Sequence, residues 1–369
     1  MGALLGNGGV TMLFDLRPKE RKEDLFGREK EVEELKKCVK NYPITLLLGI
    51  RRIGKSSVLR VALNDIKHGI YIDVRKMYFE SGGWITTQTL SSNFEEALNS
   101  LNLGVKKSII KFLSKIDGIT IDGVSIRFKK DIDLSTMLES LNNVGVTIAF
   151  DEAQYFRFYG GRGGKEVLSL FAYIYDNMKN VSLIFTGSEV GLLHDFLGID
   201  NYDSPLYGRT YAEIVLKPFK PDTSKDFLIK GFEETNTKIT DRDIDIAVKT
   251  LDGIPGWLVE FGYNYVMKKD FNAALDGVVK KAKELVKGEI KELEKKSRRY
   301  GLILQAISLG FDHWEKIKKY VEINDRNIPN SRLAALLKNL ESMSWIEVIN
   351  GKYKIIDPVV KRVIMEMRL

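Results

Sequence analysis

Short apolar runs alternate with amphipathic stretches through the first two-thirds of the chain. Runs at Ile44–Leu48, 69–74, 144–150, 181–186 and 212–216 are β-rich and bounded by glycine or polar residues, as in strands buried on both faces of a parallel sheet. Between them the spacing turns helical. From Lys55 onward Val58, Leu59, Val61, Ala62 and Ile66 share one face, and 165–178 carries a second such stretch. This alternation predicts a three-layer α/β domain with a mainly parallel sheet. Residues 118–128 alternate about Asp122-Gly123 and form a predicted hairpin inside a longer insertion.

After Pro218 the strand pattern stops, and 224–235, Asp241–Leu251, Pro255–Lys268 and 273–297 read as helices of an all-helical subdomain. Beyond Arg298 three helices, near 300–309, 313–321 and 330–343, precede a hairpin of 345–349 and 353–356 that turns at Asn350-Gly351. That is the order of a winged-helix domain. The expected division is an N-terminal extension (1–23), an α/β core (24–216), a helical subdomain (217–297) and a winged helix (298–369). The Gly-rich 1–11 stretch reads as disordered, with Met12 as the natural start.

Composition narrows the class. With 44% hydrophobic and 29% charged residues in 369, the chain has the balance of a globular protein. No apolar run approaches the ~18 residues of a membrane span, so no membrane partner is expected. Cys38 alone allows no intrachain disulfide, which fits a reducing cytoplasm. His68, His194 and His313 lack metal-ligand spacing, so zinc chemistry is not expected. The net charge is +7, and 287–369 holds 17 basic against 11 acidic residues. Such a surplus suits either a polyanionic partner or a solvated charged face.

Gly49-Ile50-Arg51-Arg52-Ile53-Gly54-Lys55-Ser56 matches the G-x-x-x-x-G-K-[ST] phosphate loop, with a strand before it and a helix after it. Its glycines let successive N–H groups converge on a β-phosphate at a helix N-terminus. Lys55 is expected at the β- and γ-phosphates, Ser56 at Mg²⁺ and Ser57 near the α-phosphate; Arg51 and Arg52 read either as nucleotide contacts or as solvated loop charges. Asp151-Glu152 ends an apolar strand, where open α/β sheets bind their ligands. Asp151 is the candidate Mg²⁺ anchor and Glu152 the candidate general base. Ser188 and Thr186, in Thr186-Gly187-Ser188, either sense the γ-phosphate or cap the next helix. Arg209, in a turn-rich loop, stabilises phosphoryl charge in its own or a neighbour's site, or else forms a surface ion pair.

From about Phe14 onward these residues resemble the archaeal ATPases of the AAA+ class, which group with the signal-transduction (STAND) NTPases. The resemblance rests on Asp24-Leu25-Phe26-Gly27-Arg28-Glu29 with Glu31, the phosphate loop with its Arg-Arg pair, Phe150-Asp151-Glu152-Ala153-Gln154, Thr186-Gly187-Ser188-Glu189, the loop ending at Arg209, and Gly253-Ile254-Pro255-Gly256-Trp257. It implies an AAA+-like P-loop core with a helical lid, and ATP or ADP with Mg²⁺ as ligands. It also implies that Phe26, Gly27 and Arg28 lie beside the adenine and that Pro255 approaches the nucleotide. AAA+ lids usually offer an arginine near this Gly-x-Pro position, where this chain has Gly256 and Trp257. STAND members commonly lack that arginine, which favours a switch over a processive motor.

The expected function is therefore Mg²⁺-dependent ATP hydrolysis, slow without a partner, with nucleotide state setting the arrangement of lid and winged helix. A DNA-binding regulatory module with a slow nucleotide switch and a protein-interaction scaffold are the alternatives. In a DNA reader, the helix carrying Arg332 and Lys338 would enter the major groove, and the hairpin with Lys352 and Lys354 would touch the backbone. A homo-oligomer is the setting in which Arg209 would serve a neighbour.

Overall fold

Leu46 and Leu48 contribute to the apolar core on one side of the sheet and Leu47 to the core on the other, all three fully buried. That alternation makes the first strand the centre of a three-layer sandwich. The computed structural model describes residues 13–129 and 132–367, so the reading of 1–11 as disordered, and of Met12 as the start, lies outside the described residues. The strands are β1 (Ile44–Leu48), β2 (Gly69–Asp73), the hairpin strands β3 (Ile119–Asp122) and β4 (Ser125–Phe128), β5 (Val146–Asp151), β6 (Val181–Gly187), β7 (Ala212–Val215), and near the C-terminus β8 (Ile346–Ile349) and β9 (Lys352–Ile355). β2, β5, β6, β1 and β7 form one parallel sheet in that order. Its register sets Leu48 opposite Gly187 and Asp73 opposite Asp151, so the carboxyl ends of the central strands share one edge.

Helices Glu29–Asn41 and Lys55–Asp65 cover one face of the sheet. That layer is continuous with the core of the helices between Pro221 and Lys296 and with the C-terminal domain. The opposite face is covered by Thr87–Ser100, Leu103–Leu113, Leu134–Val144 and Lys165–Asn177; the first three, the short helix Val74–Glu80 and the β3–β4 hairpin make up the insertion between β2 and β5. Helices Arg299–Ser308, Trp314–Asn324 and Asn330–Ser342 precede the β8–β9 hairpin, which turns through positive φ at Asn350 and Gly351. A further helix, Pro358–Glu366, follows it and was not expected, although Asp357-Pro358 is a sound start signal: Asp357 accepts from the N–H groups of Val359 and Val360.

Leu13, Phe14 and Lys19 anchor the first described segment to the fold. Phe14 is fully buried between helices Pro221–Glu234 and Pro255–Lys268, where a Cβ at Gly231 or Gly262 would run into its ring.

Candidate active site

β1 is followed by Gly49, whose φ of 147° and close approach to Leu216 suit only glycine; Gly54 then caps helix Lys55–Asp65 at φ 100°. Lys55 is buried, and its ammonium donates to the carbonyls of Gly49 (2.7 Å) and Ile50 (3.1 Å) inside the loop. Burial loosens the lysine's hold on its proton, and the nearby charges of Glu152 and Asp151 only partly offset this. Ser57 accepts a hydrogen bond from the Lys19 N–H at 3.0 Å, which ties residues 13–23 to the loop.

The Ser56 hydroxyl donates to Asp151 Oδ2 at 3.0 Å, and the Tyr71 hydroxyl donates to the same oxygen at 2.8 Å. Thr186 donates to Asp151 Oδ1 and accepts from the Glu152 N–H, so β5 and β6 are locked together at their carboxyl ends. Glu152 itself turns through the left-handed region, with φ of 54°. Its Oε2 accepts from Gln154 Nε2 (2.6 Å), the Ser188 hydroxyl (2.8 Å) and the Ser188 N–H (3.2 Å). Burial pushes this carboxyl up, but the Lys55 charge and those hydrogen bonds outweigh it and hold the group below the usual carboxylate range. Neither Ser188 nor Thr186 caps the next helix: Glu189 occupies that position, and Ser344 of the C-terminal domain accepts from the Val190 N–H.

A cleft of about 840 Å³ separates the sheet edge from the helices beyond Pro221. Arg51, Arg52, Ile53, Gly54, Lys55, Ser56, Ser57 and Glu152 line it, with Phe26, Arg28 and Pro255 on the other walls. Phe26 packs edge-on to Phe227 and Phe219. Gly27, at φ 66°, turns the chain against Thr223 and Phe219. Arg28 is a buried staple: it pairs with Glu31 (2.9 Å), donates to the carbonyls of Ile53 and Lys217, and lies over the Phe219 ring.

Both loop arginines find partners outside the loop, and Arg51 stays exposed while Arg52 is half-buried. Arg51 pairs with Glu189 (3.2 Å) and with Glu289 (2.5 Å) of helix Phe271–Lys296. Arg52 lies over Trp257. Arg209 is not brought to this site. It precedes the amino end of β7, at the sheet edge opposite the phosphate loop, and forms a two-pronged pair with Asp176 (2.6 and 3.2 Å) plus a bond to the Pro205 carbonyl. Sequence reasoning missed Tyr71, Gln154 and Arg75, which also lines the cleft. Gln154 stands within the Asp-Glu-Ala-Gln run and was within reach; Tyr71 needs the pairing of β2 with β5.

Among the described residues no cluster of three or more His, Cys, Asp or Glu could hold a metal by itself. Nor is any described helix long and apolar enough to cross a membrane.

Residues 25–261 match the model of an ATPase domain found predominantly in Archaea. The chain belongs to this family. A solved archaeal relative, the Walker-type ATPase paby2304 of Pyrococcus abyssi, is 47% identical over 96% of this chain and 99% of its own, with a TM-score of 0.86. The ORC2 protein of Aeropyrum pernix, solved with ADPNP and ADP, shares 13% identity at a TM-score of 0.62 over 95% of this chain and 97% of its own, a likeness of fold alone. Residues 294–356 match the winged helix-turn-helix domain at the C-terminus of MCM proteins. This archaeal ATPase domain thus has an AAA+-like P-loop core followed by a winged helix. Among curated proteins, MJECL04 of Methanocaldococcus jannaschii, itself uncharacterized, is 31% identical over 188 residues, 49% of this chain; the match spans 38% of that relative's length.

Proposed function

We propose that the chain is a Mg²⁺-dependent ATPase whose nucleotide state sets the arrangement of three parts, 24–216, 217–297 and 298–369, in a cytoplasmic setting. One observation carries the reading: Ser56 and Asp151 meet at 3.0 Å on one side of Lys55, and Glu152 faces the same cleft. The loop N–H groups and the helix N-terminus would hold the phosphates, with Lys55 leaving the loop carbonyls for the β- and γ-oxygens. Ser56 and Asp151 form an all-oxygen donor pair that suits a hard cation. Bound there, Mg²⁺ would neutralise charge on the transferring phosphoryl group. Glu152 acts as general base. Its three hydrogen bonds all fall on Oε2, so Oε1 is the oxygen that takes a proton from water. Phe26, Arg28 and Pro255 wall the adenine end, and Ser188 orients the base.

Lys55→Ala is expected to abolish tight MgATP binding by calorimetry. Glu152→Gln should bind MgATP normally and lose about 10²–10⁴-fold in turnover. Wild-type turnover in Glu152→Gln overturns the base assignment, and wild-type affinity in Lys55→Ala overturns the site.

A second reading, a DNA-binding module with a nucleotide switch, is favoured by the exposure of the winged helix. Arg332 and Lys338 are exposed on Asn330–Ser342, whose Leu333, Leu336, Leu337 and Leu340 fill the core, and Lys352 and Lys354 are exposed on the hairpin. With the full chain, duplex DNA is expected to be retained weakly and released steeply as salt rises. Charge reversal at Lys352 and Lys354 should weaken retention for all sequences alike. No retention at low salt favours a protein partner on this face.

A further inference from the structure

The phosphate loop, the lid helices and the C-terminal domain meet along one line of side chains. Arg52 stands in the left-handed region, with φ of 66°, and its carbonyl accepts from the N–H of Gly256 at 3.0 Å. Glycine is required there, because a Cβ at 256 would stand 2.7 Å from the Arg52 Cβ. One residue on, the buried Trp257 lies beneath the Arg52 guanidinium, 4.3 Å from the ring centroid. The indole N–H then donates to Oδ2 of Asp357 at 3.3 Å.

Asp357 belongs to the C-terminal domain, and its two oxygens have separate tasks. Oδ1 accepts from Val359 (2.8 Å) and Val360 (3.2 Å), which caps helix Pro358–Glu366. Capping leaves Oδ2 unexplained, and Oδ2 is the atom that meets Trp257. Burial pushes this carboxyl up against the pull of its hydrogen bonds and the Arg52 charge, so the group is held where it is poorly solvated. Arg52 also lines both the nucleotide cleft and a second cavity of about 50 Å³ walled by Trp345, Ile355, Asp357 and Val360. The outer side of the phosphate loop is therefore a contact surface for the C-terminal domain.

We propose that the C-terminal domain takes part in nucleotide binding through Asp357, a positioning residue that orients Trp257 and, through its ring, the phosphate-loop Arg52. The inference rests on the reading of the cleft as an ATP site. It separates two variants cleanly. Asp357→Ser keeps a helix-capping oxygen but is too short to reach the indole; Trp257→Phe keeps a ring beneath Arg52 but has no N–H to donate.

The test is a calorimetric cycle on the full chain with MgADP. Each single variant is expected to bind about three- to tenfold more weakly, and the double variant no more weakly than either, because both break the same line. In an Arg52→Ala background Asp357→Ser should have no further effect. A chain with Trp84, Trp314 and Trp345 replaced by Phe reports on Trp257 alone: MgADP is expected to change its emission, and Asp357→Ser to remove that change at saturating nucleotide. If Asp357→Ser does not fold, Asp357→Asn takes its place in the cycle, since its amide keeps an oxygen for the helix cap and sets an N–H donor against the indole N–H. Normal wild-type binding with multiplicative losses, or single variants of wild-type affinity, overturns the inference alone. No binding by the wild-type chain overturns the ATP-site reading along with it.

Discussion

A non-glycine residue held in the left-handed region costs about 1–3 kcal/mol, and Glu152 is such a residue at the end of β5. The turn aims its carboxylate into the cleft, where Lys55 and the three donors on Oε2 hold it ionised. Because its folded pKa is lowered, the base form persists above that value and is lost only as pH falls through it; the stability it adds follows the same course. Turnover limited by this group should stay level from pH 8 down to about 5. Ser188→Ala removes the hydroxyl bond and is expected to move the acid limb of the pH–rate profile upward; an unmoved limb would detach Ser188 from the base. These residues were legible because loop and acidic strand end are each contiguous in sequence. Arg51 and Arg52 were only half legible, since their partners Glu289 and Trp257 lie more than 200 positions away and no local pattern encodes them.

Among elements, the strands were readable nearly to the residue, because runs buried on both faces leave little latitude in length: 144–150 was expected and Val146–Asp151 is observed. Their order was not readable, since β1 lies between β6 and β7, which are far along the chain. The segment at 13–23 reads only as part of an N-terminal extension, and its packing was unreadable for a similar reason. Phe14 looks unremarkable until Gly231 and Gly262 are brought together around it. Phe14→Ala is expected to cost about 3–5 kcal/mol in urea unfolding, and Gly262→Ala about 1–3 kcal/mol through overpacking. Both should also speed nucleotide release, measured by stopped flow, because Leu13 and residues 15–19, on either side of Phe14, form one wall of the cleft. Unchanged stability in Gly262→Ala would mean that the slot is looser than its geometry.

At the scale of the whole molecule, the position of Arg209 separates two modes of action. Its pairing with Asp176 at the sheet edge away from the phosphate loop removes it from its own site. Arg209→Ala is therefore expected to leave MgATP affinity and the turnover of dilute chain unchanged. If turnover rises with protein concentration, the variant should lose that rise, and mixing it with Glu152→Gln should restore part of it in hetero-oligomers. A loss of turnover at high dilution would contradict this arrangement. The docking of the C-terminal domain works in the same sense of long reach. Val190, just after the Ser188 loop, has its helix N-terminus satisfied by Ser344, and Gly191 allows Ser342 to close on it.

The Phe14 slot also has a bearing on how the chain is made. Its walls are Gly231 and Gly262, so a chain emerging from the ribosome exposes Leu13 and Phe14 long before the groove that receives them exists. At roughly 5–20 residues per second, the delay is on the order of ten seconds to a minute. The sheet and its phosphate loop can assemble during that interval. The wall that Leu13 and Lys19 supply to the cleft forms only when this segment returns to a helix made about 250 residues later.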